Sequence, residues 1–230
     1  MKKYLLKLSL LFCLLSNFLT ACQKDAPITP LVTTKPLTGS VSTTPAGDYQ
    51  PLTKGSFWKY DNILATSVDV NTVTITGNTS KINGKTYYEA INDSQANGTT
   101  IGFYNNDGGV YRFRTTNAVV GITAELTFLD ENKAVNETWT APITDNGLVN
   151  NIPGRLAGKV VEKGISHTVN GKTFKDVIHT AADLQYDTGG YSTVLTYNLY
   201  YAKGIGLIEQ VSTIAGVTIV NTKLVEYSIK

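Results

Sequence analysis

Several residue types are scarce in this chain. Its 230 residues hold two cysteines, two histidines, three arginines and one methionine. The cysteines are Cys13 and Cys22, and none follows. If Cys13 is removed with the N-terminal apolar run, one cysteine remains and no internal disulfide can form. The domain must then be held by its own core. The arginines are Arg112, Arg114 and Arg155, too few and too scattered for recognition of a phosphate backbone. No block of like charge marks a nucleic-acid or acidic partner. Nor is any segment patterned as a long helix. Apolar residues run on only near the N-terminus, from Leu5 to Leu19. That is short of the roughly 20 apolar residues a membrane span needs.

The N-terminus is informative. Lys2, Lys3 and Lys7 precede and enter the apolar run, giving the positive start of a signal peptide over residues 1–21. The run ends in Leu19-Thr20-Ala21-Cys22. Residues 1–21 hold three lysines and no acid, so the remainder carries 17 basic and 18 acidic groups, a net charge of −1. The pI of 8.4 therefore reflects the leader. Residues 22–48 follow as a tether with Pro27, Pro30, Pro36, Pro45 and six threonines. They show no sustained period and should stay extended, reaching roughly 80 Å if fully drawn out as polyproline II. Residues 49–230 suffice for one domain with a substantial core.

Alternation of period two dominates that domain. Ile122, Ala124, Leu126 and Phe128 share one face, as do Leu195, Tyr197, Leu199 and Tyr201. Val225, Tyr227 and Ile229 repeat the pattern. Val68 and Val70 slip by one against Val73 and Ile75, which suggests a bulge at Asn71-Thr72. Turn pairs bound the runs: Asn83-Gly84, Gly108-Gly109, Asn146-Gly147, Asn170-Gly171 and Gly189-Gly190. The expectation is an all-β, single antiparallel domain of about ten strands, a curved half-barrel or a β-sandwich, with the curved sheet preferred. Residues 141–156 read as a loop and Asp176 to Gln185 as strand. Residues 82–92 echo residues 169–179 with five of eleven positions identical, around the two Asn-Gly turns. A duplicated unit would make Tyr87 equivalent to Phe174, Ile91 to Ile178, and Tyr104 to Tyr201. The core faces would then carry Tyr87, Phe174, Ile91 and Ile178, with Lys85 and Lys172 at exposed rims.

Leu19-Thr20-Ala21-Cys22 resembles the lipobox of bacterial lipoproteins, and that resemblance implies lipidation of Cys22. Acyl chains contribute about 0.8 kcal/mol per buried CH₂, so several chains on one cysteine hold firmly. Gln23-Lys24-Asp25 resembles the Lys-plus-acid export tags of Bacteroidetes-type surface lipoproteins. Two further stretches resemble uncharacterised Bacteroidetes-type lipoproteins. One is the lead-in Tyr49-Gln50-Pro51-Leu52 with Gly55, Trp58 and Tyr60. The other is the hairpin Tyr200-Tyr201-Ala202-Lys203-Gly204-Ile205-Gly206. The resemblance implies the bacterial cell envelope, outer membrane included, and carries no activity.

No catalytic or cofactor motif survives inspection. Ser56-Phe57-Trp58-Lys59 has the Ser-x-x-Lys spacing but lies in a strand pattern, where Lys cannot turn back to Ser. Asn105 to Gly109 reads as turn chemistry, because a calcium cage needs about six to eight oxygens. Gly204-Ile205-Gly206 lacks the third glycine of a dinucleotide loop. With Asn170-Gly171 as the turn, His167 pairs with Phe174 and Glu162 with His179. Strand alternation then sets the histidines on opposite faces, where they cannot easily share a metal. No cofactor is expected. Tyrosine is the abundant aromatic, with thirteen residues. Its apolar face and polar edge suit ligand contact. Tyr104, Tyr111, Tyr200 and Tyr201 are the candidate contacts. The expected function is a lipid-anchored, non-enzymatic binding or scaffolding module, with the membrane as partner through Cys22. Its ligand would be a glycan, an apolar molecule in a half-barrel cavity, or another envelope protein. A hydrolase is the reading of last resort.

Overall fold

The computed structural model describes residues 38–40, 47–117 and 121–230. The signal peptide, the Leu19-Thr20-Ala21-Cys22 motif and most of the tether lie outside the described residues. Among the described residues there are fourteen strands and no helix. They are β1 (Thr38–Ser40), β2 (Phe57–Ile63), β3 (Val68–Ile82), β4 (Lys85–Ser94), β5 (Gly98–Asp107), β6 (Val110–Asn117) and β7 (Ile122–Asp130). After them come β8 (Thr138–Pro142), β9 (Leu148–Val149), β10 (Ile152–Val169), β11 (Lys172–Asp187), β12 (Tyr191–Ala202), β13 (Gly206–Ile214) and β14 (Val217–Ser228). Three of these, β1, β8 and β9, have five residues or fewer. The stretch 141–156, expected as a loop, contains β9 and the ends of β8 and β10.

Twelve strands follow one another in a single sheet, in the order β7-β6-β5-β4-β3-β2-β14-β13-β12-β11-β10-β8, with β1 paired to β14 and β9 to β10 off this path. The sheet curls into a nearly closed barrel, so the curved alternative holds and the sandwich does not. Its two edges meet with little backbone pairing. The Glu125 amide of β7 donates to the Ile143 carbonyl just after β8, at 2.9 Å. The Trp139 indole N–H donates to the Thr127 carbonyl at 2.9 Å. The Thr180 hydroxyl donates to the Phe128 carbonyl at 3.1 Å. Side chains thus occupy acceptors that an open edge would leave exposed.

The interior is filled by side chains from alternate positions. Tyr111, Phe128, Leu156, Ile178, Leu199 and Tyr201 form one cluster; Trp58, Val73, Phe174, Ile208, Leu224 and Tyr227 form another. Trp58 and Tyr60 are core residues, as their shared strand face required. The lead-in is part of the core: Tyr49 is buried, its amide donates to the Tyr111 hydroxyl at 3.1 Å, and the Gly204 amide donates to the Asp48 carbonyl. Within the stretch read as tether, β1 runs parallel to β14, with Thr38 opposite Glu226 and Ser40 opposite Ser228. β13 pairs with β14 only as far as Lys223, so the edge of β14 beyond that residue is free to take β1.

The bulge lies elsewhere than Asn71-Thr72. The β2–β3 ladder runs unbroken from Phe57 and Thr74 to Ile63 and Val68. Asp69 and Asn71 stay in phase with Val73 and Ile75 and are buried. The hydrophobic pattern slips there because the interior itself turns polar. The register shift falls between Ile75 and Thr79, where Gly77 takes a φ of 89°.

The internal echo holds in topology. β3-β4-β5-β6-β7 and β10-β11-β12-β13-β14 have the same spatial order. The two turns match as well: Asn83 and Gly84 have φ 49° and 78°, Asn170 and Gly171 have 49° and 79°, the both-positive pattern of a type I′ turn. The side chains diverge. Ile178 is fully buried, whereas Ile91 is 40% exposed and pairs with Ile101 on the outer face. Tyr87 is buried, and its hydroxyl donates to the Glu125 carboxylate, which also accepts from Arg114. Lys172 is no free rim residue; its ammonium donates to the Tyr227 hydroxyl at 2.6 Å.

Candidate functional site

The polar interior begins on β2 and β3. Trp58, Tyr60 and Asn62 share a face of β2 and lie opposite Val73, Asn71 and Asp69 of β3. At the far end, Asp69 accepts from the Ser94 hydroxyl at 2.9 Å, the Ala96 amide at 2.9 Å and the Asn62 amide at 3.5 Å. Asn62 in turn accepts from the Thr222 hydroxyl at 2.7 Å. A buried carboxylate with this many donors is satisfied without a counter-ion. At the near end the Trp58 indole donates to the Ile205 carbonyl at 2.6 Å, and the Tyr60 hydroxyl to the Leu207 carbonyl at 3.1 Å. These bonds fix the β12–β13 turn against β2, and the strands leave a gap between the two polar ends.

The gap is a cavity of about 60 Å³. Its aromatic walls are Trp58, Tyr60, Tyr104 and Tyr201; its polar lining is Gln50, Asn71, Gln210 and Thr222; Val73 and Leu207 complete it. Among the described residues no charged side chain lines it. Gln50 comes from the lead-in, so the segment arriving from the N-terminus supplies one wall. Asn71 is 3% exposed, and its Oδ1 atom is buried without a hydrogen-bond partner. A buried acceptor left unpaired costs about 1–3 kcal/mol. Burial pushes the phenols of Tyr60, Tyr104 and Tyr201 up, and Tyr104 raises both of the others further. All three are therefore neutral donors at physiological pH.

The four tyrosines singled out from sequence separate. Tyr104 and Tyr201 face the same cavity. They are not register equivalents, since Tyr104 lies opposite Tyr88 and Tyr201 opposite Ile178. Tyr111 is fully buried and is taken up by the Tyr49 amide and by the Phe128 ring. Tyr200 points to the other side of the sheet.

Tyr200 is stacked between both histidines. The His167 and His179 rings lie 4.0 and 4.2 Å from its centroid, nearly parallel to it. The pairs His167–Phe174 and Glu162–His179 occur as expected, but the opposite-face argument fails. Asp176 adopts a φ of 51°, and the β10–β11 register shifts three times between Val160 and His167. These irregularities rotate both histidines onto one face. His167 Nε2 lies 2.6 Å from Glu209, and His179 lies 3.1 Å from Glu162 and from Asn198. The Tyr200 ring fills the space between the imidazoles. Sequence alternation missed Gln50, Asn71 and Gln210. The polar residues interrupting the β3 hydrophobic pattern were the available signal for Asn71.

No protein-family model matches the chain, and no curated protein does. Two solved structures resemble it in fold. One is described as a "putative lipoprotein" from Parabacteroides distasonis, with TM-score 0.50, 15% identity, and coverage of 79% of this chain and 98% of that one. The other is described as a "putative exported protein with YmcC-like fold" from Bacteroides fragilis, with TM-score 0.45, 10% identity, and coverage of 79% and 99%.

Proposed function

We propose that this chain is an exported protein of the bacterial envelope, anchored at the outer membrane by lipid on Cys22, whose barrel is a non-enzymatic binding module. The observation that carries the anchor is Leu19-Thr20-Ala21-Cys22 closing an apolar run behind three lysines. A fold shared with a protein described as a "putative lipoprotein" supports the same reading. The cavity supports binding rather than catalysis. Its polar groups are amides, phenols and a hydroxyl, which recognise neutral groups and do not exchange protons near neutral pH. Its volume also favours a small group over a whole apolar cargo, for which sites of at least about 300 Å³ are usual.

Metabolic labelling with palmitate in a bacterial host tests the anchor. The full chain should take up label and fractionate with membranes, and Cys22→Ser should lose both. Label retained in Cys22→Ser would overturn the assignment.

A further inference from the structure

The cavity beside Asn71 has a definite chemistry. Asn71 Oδ1 is a buried acceptor with no hydrogen-bond partner among the described residues, and it requires a donor. Gln50, Gln210 and the phenols of Tyr104 and Tyr201 line the same cavity and can supply donors, Gln210 through the N–H it does not give to Ser212. Val73, Leu207 and the Trp58 ring offer an apolar wall. An occupant matched to this lining has one N–H, one carbonyl and a small apolar end. It carries no charge, because a desolvated ion would find no counter-charge there. Size narrows it further. The volume of about 60 Å³ takes a few water-sized groups, each needing about 10–15 Å³ of it, and not a whole sugar.

We infer that this cavity is a recognition pocket for a compact neutral amide, the acetamido group carried by N-acetylated sugars and by acetylated amines. The N–H meets Asn71, the carbonyl meets the amide and phenol donors, and the methyl lies against Trp58 and Leu207. The rest of the molecule stays outside. This rests on the reading of the barrel as a binding module.

Saturation-transfer NMR on the full chain in detergent tests it, with N-acetylglucosamine, Nε-acetyl-lysine, glucose and lysine as probes. Transfer should be strongest at the acetyl methyl protons and absent from glucose and lysine. A preference of tenfold or more for one acetylated probe identifies the source and supports the pocket, as does equal binding of both. Asn71→Leu should weaken binding at least tenfold without lowering the melting temperature, since an apolar side chain of similar size removes the unpaired acceptor. Equal transfer from glucose and N-acetylglucosamine would overturn the inference. So would no transfer from either acetylated probe, which would leave the cavity to water alone. The wild-type panel decides the matter even if Asn71→Leu does not fold. Cys22→Ser should bind as the wild type does, so anchor and pocket fail separately.

Discussion

Arg114 shows how a single side chain joins distant segments. Its guanidinium donates to both carboxylate oxygens of Asp145, each at 2.7 Å, and to Glu125 at 3.3 Å. Asp145 also accepts from the Asn83 amide at 2.9 Å, tying the β3–β4 turn to the segment that meets β7. The Arg114 hydrogen bonds hold the Asp145 carboxyl below its ordinary range. A depressed acid contributes stability that is present above the unfolded carboxyl value and is lost as pH falls through the folded one. Asp145→Asn should therefore lower the melting temperature at neutral pH, and the difference should vanish in acid. The loss should be about 0.5–1 kcal/mol and no more, because the Asp145 side chain is 55% exposed and screened. Melting curves of both proteins across the acid limb check this. A difference that persists unchanged in acid would mean that charge is irrelevant there. Residues of this kind are hard to read from sequence. Trp58 and Tyr60 were legible as core because one strand's alternation settles them. Arg114 and Asp145 are 31 positions apart, and nothing local links them.

At the scale of elements, turns were the legible feature and bulges the illegible one. Asn-Gly pairs announced two hairpins, because both positions need positive φ and these residues adopt it at small cost. A third turn has the same geometry without that signature: Ala215 and Gly216 have φ 48° and 79°. Alanine in that region is strained by about 1–2 kcal/mol. Ala215 is exposed, so its substitution disturbs little packing. Ala215→Asn should stabilise the barrel by about 1 kcal/mol, a rise of about 2–4 °C in melting temperature for a domain of this size. Thermal denaturation measures it, and an unchanged or lower midpoint would show the turn to be unstrained. Bulges left no comparable mark. Asp176 gives no warning of positive φ, yet it decides which face the residues beyond it present. The faces of His167 and His179 were misjudged for that reason.

At the scale of the molecule, the weak line of the barrel is its seam. Neighbouring strands elsewhere are joined by long backbone ladders, as between β11 and β12, which pair from Val177 and Ala202 to Asp187 and Tyr191 with one register shift, between Leu184 and Gln185. Across the seam, β7 is held by the Glu125 amide and by two side-chain donors, Trp139 and Thr180. Trp139 reaches it by lying flat on Gly158 of β10, where a Cβ would come within 2.0 Å of the indole. Each donor is worth about 1 kcal/mol net, so removing both should cost the seam about 2 kcal/mol. Opening of β7 alone then becomes about 30-fold more frequent, while the β2–β14 half of the barrel keeps its ladders. The double variant Trp139→Phe with Thr180→Val tests this by native-state hydrogen exchange. Amides of β7 and β6 should exchange about 30-fold faster, and those of β12, β13 and β14 should keep their wild-type rates. Uniform acceleration across all strands would mean that the seam opens only when the whole barrel does. The cavity lies on the side that keeps its ladders. Its walls come from the lead-in and from β2, β3, β5, β12, β13 and β14. A seam that opens by itself leaves those walls standing.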